Sequence, residues 1–507
     1  MNTFLNQMVR DNNIAHTENG GVTRKTTESK VLDMFAVGGA YRNRSDADVI
    51  LLFKNAFEEN RELAMKCLFY LRDVRGGQGE RRFFRTAFRW LCDKHPEVAR
   101  RNLNNVSEYG RWDDLIYVAE GTKCQTAAFN IIKHQLALDV QCKTPSLLAK
   151  WLPSQNASNK DTKRLGHVLA NYLHMTNKEY RKTLSVLRER INVLERLMSA
   201  NRWDEIEFDK IPSRAGIIYR NAFARRDILA KRYEAFAKSS ETKVNAEALY
   251  PHDIAHRAFD YGMKRADINA PERLMLQKYW DNLKDFYNGR EENGIAVVDV
   301  SGSMAGIPME AAVSMGAYIA DKAHGPFANH FITFSANPEL VRFEGVDIVD
   351  KFNRCVKANW GMNTNVAAVF DMLLNTAKKK HVKVEDMPTR IYIFSDMEFD
   401  KCMTLDSNYH DEWGWGWHSC KHPSSTQEVN SDLEKIKRKW NAAGYQMPSV
   451  IFWNLNARNN RIPAIGDGFS YVSGFSPSMI DSILSGKDGY DLMLDKLMSK
   501  RYAAVVA

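Results

Sequence analysis

A chain of 507 residues is about three times the usual domain size, which excludes a single core. Its seven cysteines are scattered, odd in number and never paired as CxxC, which argues against a disulfide scaffold or a zinc ribbon. No apolar run approaches the ~18 residues that span a bilayer, and the formal charge of +9 is modest for the chain as a whole.

The N-terminal stretch MNTFLNQMVRDNNIAHTENGG lacks the apolar core of a signal peptide. With the cysteine usage, it predicts a soluble protein of a reducing compartment, the cytoplasm, with no membrane partner. Helical periodicity then dominates residues 1–290. It runs through DADVILLFKNAFEENRELAMKCLFYLRD, GERRFFRTAFRWLCDKH and PERLMLQKYWDNLKDFYNG. In RKTLSVLRERINVLERLMSA, Leu184, Leu187, Ile191, Leu194 and Leu197 recur at steps of three and four and predict one amphipathic helix. No strand-like alternation competes in this half. The strings GRWDDL (110–115) and NRWDEI (201–206) echo one another, which favours an all-α helical-repeat array.

After residue 290 the pattern changes. IAVVDV, NHFITF, TRIYIFS and PSVIFWNL read as buried strands, separated by helical stretches such as PMEAAVSMGAYIADKA and STQEVNSDLEKIKRKWNAAG. Continuous apolar strands alternating with helices predict an α/β domain of doubly wound type over 291–507. The charge divides at the same place. Residues 1–290 hold 49 Lys and Arg against 36 Asp and Glu, net +13, and residues 291–507 are net −4. A basic half of that size is an electrostatic footprint for a polyanion.

In a doubly wound sheet, ligands bind beyond the carboxyl ends of the strands. Asp299, Ser301 and Ser303 stand at the exit of IAVVDV, Asp396 at the exit of IYIFS, and Thr364 just before a helix. Carboxylates and hydroxyls without sulfur or imidazole suit a hard cation such as Mg²⁺, with Mn²⁺ or Ca²⁺ as substitutes. The order DxSxS, then Thr, then Asp resembles the metal-ion-dependent adhesion site of von Willebrand factor A domains. That resemblance implies Ser301, Ser303 and Thr364 as direct ligands, Asp299 and Asp396 acting largely through water, and a protein partner whose acidic group completes the shell. The bland alternative is a strand-to-turn transition in which the serines cap the next helix.

The helical half carries a second resemblance, on YLRDVRGGQGERR, YGRWDDL, YRKTLSVLRERINVLERLMSANRWDEI, KIPSRA and ALYPHDIAH. These strings are similar to proteins of plants, bacteria and large viruses that join a helical region to a C-terminal von Willebrand A domain, and more distantly to the Ro autoantigen, or TROVE, proteins. In Ro proteins HEAT-like helical repeats close into a ring that binds small noncoding RNA, so the resemblance implies an RNA-binding, ring-like scaffold. The rival reading is a protein-protein adaptor without RNA.

Two basic runs are candidates for phosphate contact. The first is Arg72, Arg75, Arg81, Arg82 and Arg85 around a glycine turn, interleaved with Phe83, Phe84 and Trp90. Ion pairing and burial are the competing account, favoured for the aromatics. The second comprises Lys160, Lys163, Arg164, His167, Lys178, Arg181 and Lys182. Three further signals are weak. His252 and His256 have chelating spacing but read as part of a helix start, RGGQGERR lacks the Lys-Ser of a phosphate loop, and the His, Cys and Trp residues of 401–425 fit no standard zinc module. No nucleophile-base pair emerges, so the chain is expected not to be an enzyme.

Overall fold

The computed structural model describes residues 12–242, 244, 246, 249–258, 268–335, 337–355, 364–400 and 432–507. A short antiparallel hairpin opens it, β1 (Ile14–His16) and β2 (Val22–Arg24). Helices follow: α1 (Lys30–Val37), α2 (Asp46–Glu59), α3 (Arg61–Arg72), α4 (Arg81–Lys94), α5 (Pro96–Tyr109), α6 (Trp112–Ala119), α7 (Gln125–Gln141) and α8 (Leu148–Trp151). The array continues with α9 (Lys160–Tyr172), α10 (Asn177–Arg190), α11 (Leu194–Ser199), α12 (Ser213–Ala224), α13 (Asp227–Lys238), α14 (Pro251–Ala258) and α15 (Ala270–Asp281).

Local sequence explains many of the starts. Ser45 with Asp48 and Thr176 with Glu179 form capping boxes, each satisfying otherwise orphaned backbone donors, and proline occupies the first turn of α5 and α15. Two expectations are corrected here. The segment 181–200 is two helices, because Asn192 adopts φ +47° and the Val193 N–H closes back on the Arg188 carbonyl, ending α10. Asparagine tolerates that left-handed conformation where a branched residue does not. The β1–β2 hairpin was not anticipated, since three-residue strands carry too little periodicity to register. The echoed strings also diverge, GRWDDL entering α6 while NRWDEI makes only a 3₁₀ turn over Trp203–Glu205.

Beyond residue 290 lies a six-stranded sheet: β3 (Gly294–Asp299), β4 (His330–Phe334), β5 (Leu340–Arg342), β6 (Arg390–Ser395), β7 (Ser449–Asn454) and β8 (Phe469–Ser473). Its order is β5-β4-β3-β6-β7-β8, parallel throughout except for β5, which runs antiparallel at the edge. All six residues of β3 are buried. Because successive side chains point to opposite faces, both faces of the sheet are covered there. The accompanying helices are α16 (Ile307–Lys322), α17 (Ile348–Cys355), α18 (Val366–Lys380), α19 (Asp432–Ala442), α20 (Ile480–Ile483) and α21 (Gly489–Leu497).

The two halves interlock at both ends of the helical array. At its start, the Ser473 hydroxyl at the end of β8 donates to the Phe35 carbonyl (2.9 Å) and accepts from the Gly39 N–H (2.9 Å). At its end, His256 of α14 meets Glu310 of α16 at 2.9 Å, and Arg273 of α15 forks onto Asp347 at 2.7 and 2.8 Å. The glycine turn between α3 and α4 is a third joint. Gln78 donates to the Tyr70 hydroxyl (2.7 Å) and accepts from the Ser476 N–H (3.1 Å). A Cβ on Gly77 would overlap the Tyr70 carbonyl, so the close approach requires glycine. Arg501 and Tyr502 of the C-terminal segment hold Asp73 in the same turn.

Candidate functional site

β3 and β6 are adjacent, with β4 and β5 lying to one side and β7 and β8 to the other. Their carboxyl ends therefore border the crevice where the strand order reverses, the usual ligand position of doubly wound sheets. Asp299 ends β3 and Asp396 follows the last residue of β6, respectively 0% and 2% exposed.

The Asp299 carboxylate accepts from the Ser301 N–H (2.8 Å) through Oδ1 and from the Ser395 hydroxyl (2.6 Å) through Oδ2. The hydroxyls of Ser301 and Ser303 stand 3.0 Å apart. Asp396 Oδ1 accepts from the Glu398 N–H (3.1 Å), whereas its buried Oδ2 accepts no close hydrogen bond among the described residues, the Ser303 side chain being near enough only to hold this carboxyl down somewhat. Burial and then the Asp396 charge push Asp299 up to about 6, and burial raises Asp396 and Glu398 as well. Such a group of carboxylates is under-compensated for positive charge. An orphaned carboxylate oxygen beside two hydroxyls and a second carboxylate fits a hard cation by its donor chemistry.

Thr364, 2% exposed, reaches the site through the strand exit. Its N–H donates to Asp400 Oδ2 (2.8 Å), and its hydroxyl donates to the Glu398 carbonyl (2.9 Å). Asn365 caps α18 through the Ala368 N–H. Thus Asp299, Ser301, Ser303 and Asp396 are gathered directly, while Thr364 joins them by the 398–400 segment. Among the described residues, no group of three or more His, Cys, Asp and Glu could hold a metal, so a cation here would depend on the hydroxyls.

Sequence reasoning missed Ser395, Glu398 and Glu18. The alternation in SDMEFD placed carboxylates at 396, 398 and 400, a signal for one face of extended chain. Glu18 had none. The hairpin loop brings it in, its N–H donating to Glu398 Oε2 (2.7 Å) and its carboxylate pairing with Arg458 (2.8 Å). Asn459 contacts the other Glu398 oxygen.

The arginine turn behaves differently from the phosphate surface expected of it. Arg72 is 2% exposed and puts Nε and Nη2 on Asp114 at 2.9 and 2.7 Å, so it faces no solvent. Arg85 pairs with Asp113 and Asp114, and Arg82 with Asp46. Arg75 is exposed and bonds the Glu108 carbonyl, and Arg81 is exposed and makes no ion pair among the described residues. Phe83 and Phe84 are core, and Trp90 packs against Phe53 and Phe57. In the second run Arg164 is held by Glu120 and Asp161, and His167 bonds Asn177. Lys160, Lys163, Lys178, Arg181 and Lys182 are exposed and make no ion pair among the described residues.

His252 and His256 do not converge. His252 is buried against Phe475, its Nδ1 without a hydrogen-bond partner among the described residues, and His256 pairs with Glu310. Burial pulls His252 down to about 4 from the usual 6.5. The unfolded chain therefore takes up a proton over pH 6.5 to 4 that the folded chain refuses. Stability is present above 6.5 and declines as pH falls toward 4, by about 3 kcal/mol. Urea midpoints at pH 7 and pH 4.5 should differ less for His252→Gln than for wild type; equal differences would assign the acid sensitivity to other groups. The residues of 401–425, with Cys402, His410, His418, Cys420 and His422, lie outside the described residues.

Among the described residues, no helix is long and apolar enough to cross a membrane. The family model named domain of unknown function DUF2828 matches residues 17–135 and 129–285, and domain of unknown function DUF7788 matches 293–501. An uncharacterized protein of Acanthamoeba polyphaga mimivirus is 29% identical over 521 aligned residues, covering 94% of this chain and 85% of the relative. With more than half its length matched by the DUF2828 model, the chain belongs to that family.

Proposed function

We propose that this DUF2828 protein is an RNA-binding scaffold whose α/β domain holds a hard cation in a site of von Willebrand A adhesion type and captures an acidic group of a partner protein there. The observation that carries the reading is the buried Oδ2 of Asp396, which accepts no close hydrogen bond among the described residues, beside Asp299 and the paired hydroxyls of Ser301 and Ser303. When bound, Mg²⁺ would supply positive charge and an open ligand position. Ser301, Ser303 and Thr364 would hold it with their hydroxyl oxygens, and Asp299 and Asp396 would balance its charge. Both oxygens of Asp299 already accept hydrogen bonds, which suits capture better than proton transfer to a substrate.

The RNA part of the reading is supported by the five exposed cations of α9 and α10. Lys178, Arg181 and Lys182 share one face of α10 by their spacing, as Lys160 and Lys163 do on α9. Changing all five to alanine should weaken binding of a single-stranded oligoribonucleotide about tenfold or more at 100 mM salt and flatten its salt dependence, because each phosphate contact releases counterions. Fluorescence anisotropy from 50 to 200 mM salt checks it. Unchanged affinity and slope would move the RNA surface elsewhere. No binding by wild type at 50 mM would favour the adaptor reading, which the internally paired Arg72, Arg82, Arg85 and Arg164 already support in part.

A further inference from the structure

We propose that the cleft bounded by α5, α6 and α7 is a nucleobase site, an inference that deepens the RNA reading and rests on it. The cleft is open to solvent and has a volume of about 460 Å³, within the range of small-ligand sites. Trp112 and Ile131 provide its apolar surface, and Asn104, Ser107, Asn130 and His134 surround them. No Lys, Arg, Asp or Glu lines it. A phosphate or carboxylate would find no fixed countercharge there, whereas a neutral, planar ring with donors and acceptors on its edge finds amides, a hydroxyl and an imidazole.

The polar groups are available. The side chains of Asn104, Ser107 and His134 make no hydrogen bond among the described residues, Asn130 accepts one from the Tyr172 hydroxyl at 3.1 Å, and Gln135, which also lines the cleft, already donates its amide to Asp139 (2.8 Å). The echoed tryptophan makes the contrast. Trp203 donates its indole N–H to Asn201 (2.7 Å), and the Arg226 guanidinium lies over its ring at 3.4 Å. Trp112, in the matching string, has neither kind of partner among the described residues and borders the cleft.

Its position is rigid as well. Arg111 before it is forked onto Asp113 and stacked over Trp151 at 4.1 Å, and Asp113 and Asp114 after it are held by Arg85 and Arg72. A stacking ring fixed in advance loses little entropy on binding. The surroundings suit a strand of RNA. Tyr172 belongs to α9, the helix that begins the lysine face, and Lys133, beside His134, is exposed.

The test uses the full-length chain and two fluorescein-labelled 12-nucleotide single strands of identical backbone, one bearing uracil and adenine bases and one abasic. Wild type should bind the base-bearing strand at least about fivefold more tightly. N104A/S107A/H134A should lose that preference while keeping its affinity for the abasic strand, and W112F, which retains a smaller ring, should fall between. Equal binding of both strands by wild type, or equal loss for both in the triple variant, would overturn the nucleobase site and leave the scaffold reading standing. Should wild type bind neither strand, the scaffold reading falls, and titration with adenosine and uridine monophosphates decides the cleft. Quenching of tryptophan fluorescence that is absent in W112F would uphold it, and absence of quenching in wild type would overturn it.

Discussion

Asp299→Ala is expected to abolish Mg²⁺ and Mn²⁺ binding, read by calorimetry at millimolar ion. Asp299 is one of two fully buried carboxylates at the strand ends and the one whose hydrogen bonds set the Ser301 backbone and the Ser395 hydroxyl. Its loss would remove both a charge and the support of the hydroxyls proposed to hold the cation. The fold should survive, because Val297, Val298, Ile393 and Phe394 of the sheet core are untouched. A control separates metal loss from damage. With no cation bound, Asp299 is raised to about 6, so its ionised form disfavours the folded state above that pH and the penalty disappears as pH falls below the ordinary 3.8. Metal-free Asp299→Asn should therefore be at least as stable as metal-free wild type at pH 7, by about 1–3 kcal/mol at most. Equal binding heats from wild type and Asp299→Ala, or none from wild type, would reduce DVSGS to a capped turn.

Asp114→Ala should cost about 3–5 kcal/mol of stability, the range for stripping one partner from a buried ion pair. Asp114 is 0% exposed; Oδ2 accepts from Arg72 Nε and Nη2 and from the Arg111 N–H, and Oδ1 accepts from Arg85 Nε at 2.6 Å. Without it the Arg72 guanidinium remains buried and uncompensated. Pairing the change with Arg72→Met should cost less than the sum of the two single changes, because the stranded charge is then gone. Urea unfolding of the three variants measures it. A loss under 1 kcal/mol for Asp114→Ala would mean the cluster is solvated, returning the arginine turn to consideration as an RNA surface.

The lesson of the two clusters differs. DVSGS was legible because its bonds are local, Asp299 to Ser301 and Ser301 to Ser303, each two residues apart. The four strands read from the chain, β3, β4, β6 and β7, were legible because a doubly covered strand must be apolar at nearly every position. β5, with two exposed residues around one half-buried one, left no such mark.

Residue order alone therefore determined the change from helical to α/β character near residue 290, the strand exits and the hydroxyl-carboxylate donor set, since each depends on spacing within one element. Tertiary structure decided the fate of the charges. Arg72 and Arg85 meet Asp114 from 42 and 29 residues away, Asp73 meets Arg501 from 428, and Glu18 meets Glu398 from 380. Whether a charged side chain is a solvent-facing contact or a buried partner depends on the carboxylate or cation that folding brings within a few ångströms, because a charge removed from water must be compensated at close range. Sequence spacing carries no record of that distance.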